Sequence, residues 1–277
     1  MQFKSPAKIN LSLKVLKDIR SDGYHSIQTI MHTISLCDTV TINVLAGGAT
    51  EDILTCNDPN IPLDCRNLVI KALDIFRQVS HSCSFFQIHL DKNIPVGAGL
   101  GGGSSNAATV IYAAKTLTGA NVDNSQLQLI AESIGSDVPF FLATKTGTAT
   151  CTGRGETVVD LAGRDDWFVL VTLPGVNCVT REVYKMFDEC LTSEIPQDND
   201  LEPAALAAYP QLRVIRVVLD VVDLKWQMTG SGSAFFANTR TSTEAKAVVT
   251  ILQRLLPDSK AHAVQSLNKS LKGWFKC

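Results

Sequence analysis

The stretch IPVGAGLGGGSSNAATVIYAAKTLTG, residues 94–119, places glycine at 97, 99, 101, 102 and 103. Two serines follow, and then an alanine-rich helical segment that stops at Gly119. A tight turn needs one or two glycines. Five within seven positions point to a backbone that another group must approach closely. The first-turn N–H groups of a helix lack internal partners, and the helix dipole is positive there. A glycine loop feeding such a helix is an anion site, with phosphate as its usual occupant. Ser104 and Ser105 add hydroxyls suited to phosphate oxygens or a metal ion.

Several phosphate loops are excluded. The pattern G-x-x-x-x-G-K-[ST] is absent. Gly97 to Gly102 satisfies G-x-G-x-x-G, but a dinucleotide site needs a second strand after the helix, ending in an acid ~20 residues on. Here Gly119 is followed by ANVDNSQLQLIAESIG, a second helical pattern with Asp123 at its cap. That argues against a dehydrogenase. Neither HRD nor DFG occurs, so the chain is no protein kinase.

Outward from the loop, periodicity predicts a strand over 2–16, with Ile9, Leu11, Leu13 and Val15 on one face. It predicts a second strand over 39–45, a helix over 67–79, a strand over 85–90 and a helix over 125–134. Residues 135–141 (GSDVPFF) read as a loop, and 146–152 alternate weakly. The second half reads as a strand at 167–173, a helix at 181–191 and a polar link, SEIPQDND. Helices over 201–208, 212–222 and 245–255 surround a second glycine loop, MTGSGSAFF at 228–236. Helices and strands mix without strict alternation, which predicts an α+β fold. Glycine and charge coincide near 153–166, giving two expected domains, 1–155 and 156–277.

Composition narrows the function classes. The chain has 277 residues, 45% of them hydrophobic, and a formal net charge of −2. It is long and apolar enough to bury a core, and it carries no global basic field for nucleic acid or an anionic membrane. No apolar run approaches the ~18 residues of a membrane span, and MQFKSPAKIN lacks the apolar segment of a signal peptide. The eight cysteines are scattered without a C-x-x-C pair, which predicts reduced thiols in a cytoplasmic protein rather than a zinc site.

At this point the residues carry a family. PVGAGLGGGSSNAA, residues 95–108, resembles the phosphate loop of the GHMP kinases, small-molecule kinases that include those of galactose, homoserine and mevalonate. Two further motifs of that superfamily stand in the expected order: PAKINL at 6–11 and MTGSGS at 228–233. DGYH at 22–25, GSDVPFF at 135–141 and NDLE at 199–202 resemble the branch that acts on a cytidine-diphosphate-linked methylerythritol. The resemblance spans essentially the whole chain. It implies a two-domain fold with the active site in the cleft between domains. It also implies phosphorylation of that substrate's 2-hydroxyl by ATP, with magnesium, on the non-mevalonate route to isoprenoid precursors. The alternatives are a sister kinase of mevalonate or homoserine type and a non-catalytic nucleotide-binding sensor.

Carried over residue by residue, the resemblance makes Asp137 the general base and Lys8 the cation beside it. An ordinary aspartate, with a pKa of ~3.9, is a weak base at neutral pH and accepts the proton late, as the new phosphoester forms. The loop residues Pro95, Val96, Gly97, Ala98, Gly99, Leu100, Gly101, Gly102, Gly103, Ser104 and Ser105 are expected to hold the nucleotide, with Asn67 and Leu68 at its adenine. Asn10, Tyr24, His25, Thr180 and Tyr184 are expected on the substrate. Ser104 or Ser105 is the candidate magnesium ligand. Gly230 and Gly232 are expected to pack against the phosphates. The expected partner is a small molecule, with no nucleic acid or membrane, for a monomer or weak homodimer. The chain departs from the family pattern at Ser12, Arg154, Arg181 and Tyr184, where the family favours an aromatic, an apolar residue, proline and phenylalanine.

Overall fold

The computed structural model describes residues 1–189 and 198–268. Most of the polar link after residue 189 therefore lies outside the described residues. The first sheet is organised by two long antiparallel strands, β1 (Gln2–Ile19) and β2 (His25–Val44), joined by the Ser21-Asp22-Gly23 turn. The other edge of β2 is shared: residues 27–32 pair with β5 (Thr148–Gly153), and residues 39–44 pair with β4 (Phe86–Asp91). β3 (Ile53–Cys56) adds in parallel to β4, and β6 (Thr157–Asp160) adds to β5. A second, four-stranded antiparallel sheet has the order β10-β7-β9-β8. It is formed by β7 (Trp167–Thr172), β8 (Trp226–Met228), β9 (Phe235–Thr239) and β10 (Lys260–Gln265).

Four helices cover the first sheet: α1 (Leu68–Ser80), α2 (Gly102–Thr118), α3 (Asn124–Ile134) and α4 (Val138–Ala143). α2 lies at the centre, touching both long strands and α1 and α4. Its alanines at 107, 108, 113 and 114 are fully buried, so the short side chains let neighbouring elements close in. The second sheet carries α5 (Thr180–Glu189), α6 (Glu202–Ala208), α7 (Gln211–Val221) and α8 (Ser242–Leu255). Leu13, Val15 and Ile27, from the far ends of β1 and β2, are buried in the core of this second layer. The long hairpin thus belongs to both cores. No described helix is long and apolar enough to cross a membrane.

The α+β expectation is met, with three local corrections. β2 begins at residue 25 rather than 39. Its stretch Met31–Ile34 is buried on both faces, so no alternation marks it, and His32 and Thr33 are polar residues inside the core. Residues 138–141, expected in a loop, belong to helix α4, because Pro139 fits the first helical turn although it hides the helical pattern. The alternation expected over the second half of 2–16 is interrupted by a register shift between Asn10 and Ser12, which follows an earlier one at Pro6/Ala7. The shift after Asn10 changes the face presented beyond it, while Lys8 and Asn10, two apart, share one side of β1.

Candidate active site

The three motifs, far apart in sequence, meet. The Lys8 N–H donates to Leu100 O at 3.0 Å, tying β1 to the glycine loop. The Ala234 N–H donates to Ala98 O at 3.2 Å, tying the loop to the third motif. A Cβ built on Gly99 would stand 2.2 Å from Thr229 O, so this left-handed glycine (φ +75°) is required by the close approach of the 229–232 turn.

Two cavities adjoin the glycine loop. The larger, about 880 Å³, is lined from β1 by Lys8 and Asn10, from the first turn by Tyr24 and His25, and from α5 by Thr180 and Tyr184. Asp137 stands in its wall as well. The smaller, about 490 Å³, is lined by Asn67 and Leu68 at the start of α1 and by the loop from Pro95 to Ser104. Gly97, Gly99, Gly101 and Thr180 border both, so the loop is the partition.

On the floor of the larger cavity, Lys8 Nζ lies 3.6 Å from Asp137 Oδ2. Lys8 also donates to Asn10 Oδ1 at 2.6 Å. Asn10 is itself locked: its Nδ2 donates to Thr29 Oγ1 at 2.8 Å and its backbone N–H to Thr229 Oγ1 at 2.9 Å. Thr229 donates back to Asn10 Oδ1 at 3.1 Å. Asp137 occupies the N-cap position of α4, yet its side chain makes no capping hydrogen bond, which leaves the carboxylate to Lys8 and the cavity. That N-cap lies behind a Gly135-Ser136 turn that aims the carboxylate back at β1.

His25 and Tyr184 stack at 5.9 Å between ring centroids, nearly parallel at 19°. His25 Nε2 is 2.8 Å from Asp188 Oδ1, and Nδ1 is 3.2 Å from Leu16 O, so both ring nitrogens are engaged. Burial pushes the Tyr184 phenol up to about 12, with the Asp137 carboxylate adding to the shift. Tyr24 is exposed, with the Arg154 guanidinium 4.4 Å from its ring centroid. Thr180 Oγ1 and Ser231 Oγ are 2.9 Å apart, joining α5 to the third motif.

The smaller cavity fits a polyphosphate. The N-cap of α2 is Gly101, which offers no side-chain cap, and the first turn holds no acid, so its leading N–H groups are unclaimed by a capping side chain. A Cβ on Gly103 would meet only Leu68 Cδ1, at 3.6 Å, so the surface beside α1 is bare. The two serines behave differently. Ser104 lines the cavity. Ser105 is fully buried, with its hydroxyl 2.8 Å from Ser5 Oγ, so its side chain faces β1 and not the cavity. The Asn67 side chain caps α1, accepting from Val69 N at 2.9 Å and donating to Pro62 O at 2.7 Å. It therefore borders the cavity with one donor and one acceptor engaged in the cap and a second of each left over. Among the described residues no group of three His, Cys, Asp or Glu converges on a metal position.

The sequence does not show several supporting roles, among them those of Asn199 and Glu202 in the NDLE motif. Asn199 is buried and its Nδ2 donates to both Met228 O and Gly230 O at 2.8 Å. Glu202 accepts from Met228 N at 2.8 Å. The NDLE segment thus holds the third motif in place, a role its sequence does not announce. Beneath the glycine loop, the buried Asp38 accepts from Lys92, from Asn106 and from the backbone of Asn93 and Ile94. Asp188 was findable, since it follows Tyr184 by one helical turn and shares its face.

Comparisons with known proteins identify the family. Residues 67–145 match the model of the GHMP kinases N terminal domain. The chain is 39% identical over 287 residues to the 4-diphosphocytidyl-2-C-methyl-D-erythritol kinase of Protochlamydia amoebophila, covering 98% of this chain and 91% of that one. It is 41% identical over 253 residues to the chloroplastic/chromoplastic 4-diphosphocytidyl-2-C-methyl-D-erythritol kinase of Solanum lycopersicum, covering 83% of this chain and 62% of that one. Its fold matches a crystal structure of 4-(cytidine 5'-diphospho)-2C-methyl-D-erythritol kinase at a TM-score of 0.78 and 31% identity, over 98% of this chain and all of that one. The three motifs, the paired cavities and these relatives together make the chain a kinase of the GHMP superfamily that belongs to the 4-diphosphocytidyl-2-C-methyl-D-erythritol kinase family.

Proposed function

We propose that the protein transfers a phosphoryl group from ATP to the 2-hydroxyl of 4-diphosphocytidyl-2-C-methyl-D-erythritol. The observation that carries this reading is the Lys8–Asp137 pair, 3.6 Å apart, in a cavity that also holds Tyr24, His25 and Tyr184. ATP supplies the phosphoryl group when bound. The open amides of α2 and the bare backbone of the glycine loop receive its phosphates, where the helix dipole favours negative charge. Leu68 borders the space left for adenine.

Across the loop, Asp137 accepts the proton of the acceptor hydroxyl as the phosphoester bond forms. Lys8, fixed by Asn10, offsets the charge that develops on the transferred group and keeps the hydroxyl in line. Tyr24, His25 and Tyr184 wall the space for the cytosine, with Thr180 beside the loop. Magnesium, expected with the nucleotide, has no carboxylate cluster of its own among the described residues, and Ser104 is the serine hydroxyl facing the nucleotide cavity. In this reading the two halves, 1–155 and 156–277, meet at the larger cavity. The protein acts on small molecules as a monomer or weak homodimer in the cytoplasm; scattered thiols support a reducing compartment, and a net charge of −2 speaks against a nucleic-acid partner.

A coupled ADP-release assay tests the reading. Purified protein with ATP turns over the cytidine-linked alcohol and leaves mevalonate and homoserine untouched. Absence of turnover with the cytidine-linked alcohol rejects the assignment.

A further inference from the structure

The geometry points to Arg154 as a positioning residue that holds the Tyr24 ring as one wall of the larger cavity. This rests on the reading of that cavity as the cytidine-substrate site. Tyr24 is exposed and closes the turn between β1 and β2, a place where a side chain ordinarily samples several rotamers. The Arg154 Cζ lies 4.4 Å from its ring centroid, over the face. A guanidinium is drawn to that face by the ring quadrupole. The guanidinium thus covers a face of the ring at the cavity wall, which Arg154 lines as well.

Charge pairs hold Arg154 in turn. Its Nη1 is 3.8 Å from Asp22 Oδ2, which is also 3.4 Å from Arg20 Nε. Arg20 Nη1 is 3.3 Å from Glu156 Oε1, and the Glu156 carboxylate accepts from the backbone N–H of Arg154 itself. The circuit Arg154–Asp22–Arg20–Glu156 closes on itself and ties the Tyr24 turn to the β5–β6 turn. Asp22 Oδ1 also accepts from the Tyr24 backbone N–H at 3.2 Å, so one carboxylate orients both partners. The β5–β6 turn abuts the segment that carries Asp137: a Cβ on Gly155 would stand 3.1 Å from Ser136 O. Arg154 thus links the base wall to the segment bearing the general base. Ordering Tyr24 before the substrate arrives removes part of the entropy cost of binding.

A double-mutant cycle in steady-state kinetics tests this. Arg154→Leu raises the KM for the cytidine-linked alcohol about three- to fivefold, the range of an exposed cation–π contact, and leaves the KM for ATP at its wild-type value. Tyr24→Ala raises the alcohol KM about tenfold or more, as loss of a stacking platform does. In the Tyr24→Ala background, Arg154→Leu changes that KM less than about twofold, because its effect runs through the ring. A wild-type alcohol KM in Arg154→Leu, or the same fold rise in both backgrounds, overturns the inference. A wild-type alcohol KM in Tyr24→Ala instead rejects the cavity as the cytidine site.

Discussion

Lys8 Nζ stands 3.6 Å from Asp137 Oδ2, and the two side chains differ in exposure, 4% against 27%. The lysine side chain is walled in, its stem by Gly101 and its ammonium by Asn10 and Gly230, while the carboxylate opens on the cavity. A hydroxyl entering the cavity therefore meets the carboxylate first. Asp137→Asn removes the proton acceptor with little change of shape, and kcat falls by about two or more orders of magnitude, the usual loss of a positioned base. Nucleotide affinity, measured by equilibrium titration, stays close to wild type, since the smaller cavity, the proposed nucleotide site, lies across the loop. An Asp137→Asn enzyme with near-normal kcat would falsify the role.

Two glycines of the same loop respond differently to alanine. At Gly99 the new Cβ would sit 2.2 Å from a backbone oxygen in a left-handed conformation, so Gly99→Ala destabilises the protein by about 2 kcal/mol or more. At Gly103 the Cβ meets nothing closer than 3.6 Å and lies within α2, where alanine is the better helix former by about 1 kcal/mol. Gly103→Ala keeps the melting temperature or raises it, while the added methyl beside the nucleotide cavity raises the KM for ATP. Thermal unfolding and ATP kinetics on the two variants separate these effects. A Gly103→Ala enzyme with an unchanged KM for ATP removes that backbone from the nucleotide site.

Asn199 acts at a distance on Lys8. Its amide holds Met228 O and Gly230 O, and a Cβ on Gly230 would be 3.4 Å from Lys8 Nζ. Asn199→Ala leaves two buried carbonyls without that donor, costing about 1–3 kcal/mol for each group left unpaired. The denaturant midpoint drops, and kcat drops with it as the 229–232 turn loosens around Lys8. Asp198→Ala, one residue before, removes the exposed Lys225 pair and changes stability by less than about 1 kcal/mol. Equal effects of the two substitutions would contradict the clamp.

The legible parts of this molecule are those where the sequence breaks ordinary rules. Five crowded glycines, a lysine amid an apolar strand and an acid behind Gly-Ser each lacked a plain structural use, and the structure gathers them around one loop. Elements that obey two demands at once were hidden. β2 shows no alternation over Met31–Ile34 because both faces are covered. α4 is too short for a period, and its first turn holds a proline. Which serine faces the smaller cavity could not be read from Ser104-Ser105 either. Adjacent helical positions point about 100° apart, and only the bond to Ser5 shows that Ser105 turns inward.

Acid should weaken the fold through the buried histidines. His32, in the middle of β2, is held down to about 4 by burial, with the Arg164 charge lowering it further and Asp166 opposing. Its Nδ1 bonds Thr148 Oγ1 at 2.6 Å, and its Nε2 has no partner among the described residues. Burial lowers His262 as well, with Lys260 adding to the shift. A histidine with its pKa depressed in the fold binds its proton more readily when unfolded, so protonation favours unfolding. The stability is fully present above the unfolded value of ~6.5 and is lost as pH falls toward about 4, the His32 value in the fold. The urea midpoint should decline over that window in the wild-type protein. His32→Gln cannot take up that proton, so it should be less stable at pH 7 for its altered packing yet lose less of its stability between pH 7 and pH 5. A variant that declines as steeply as the wild type over that interval assigns the acid sensitivity to groups other than His32.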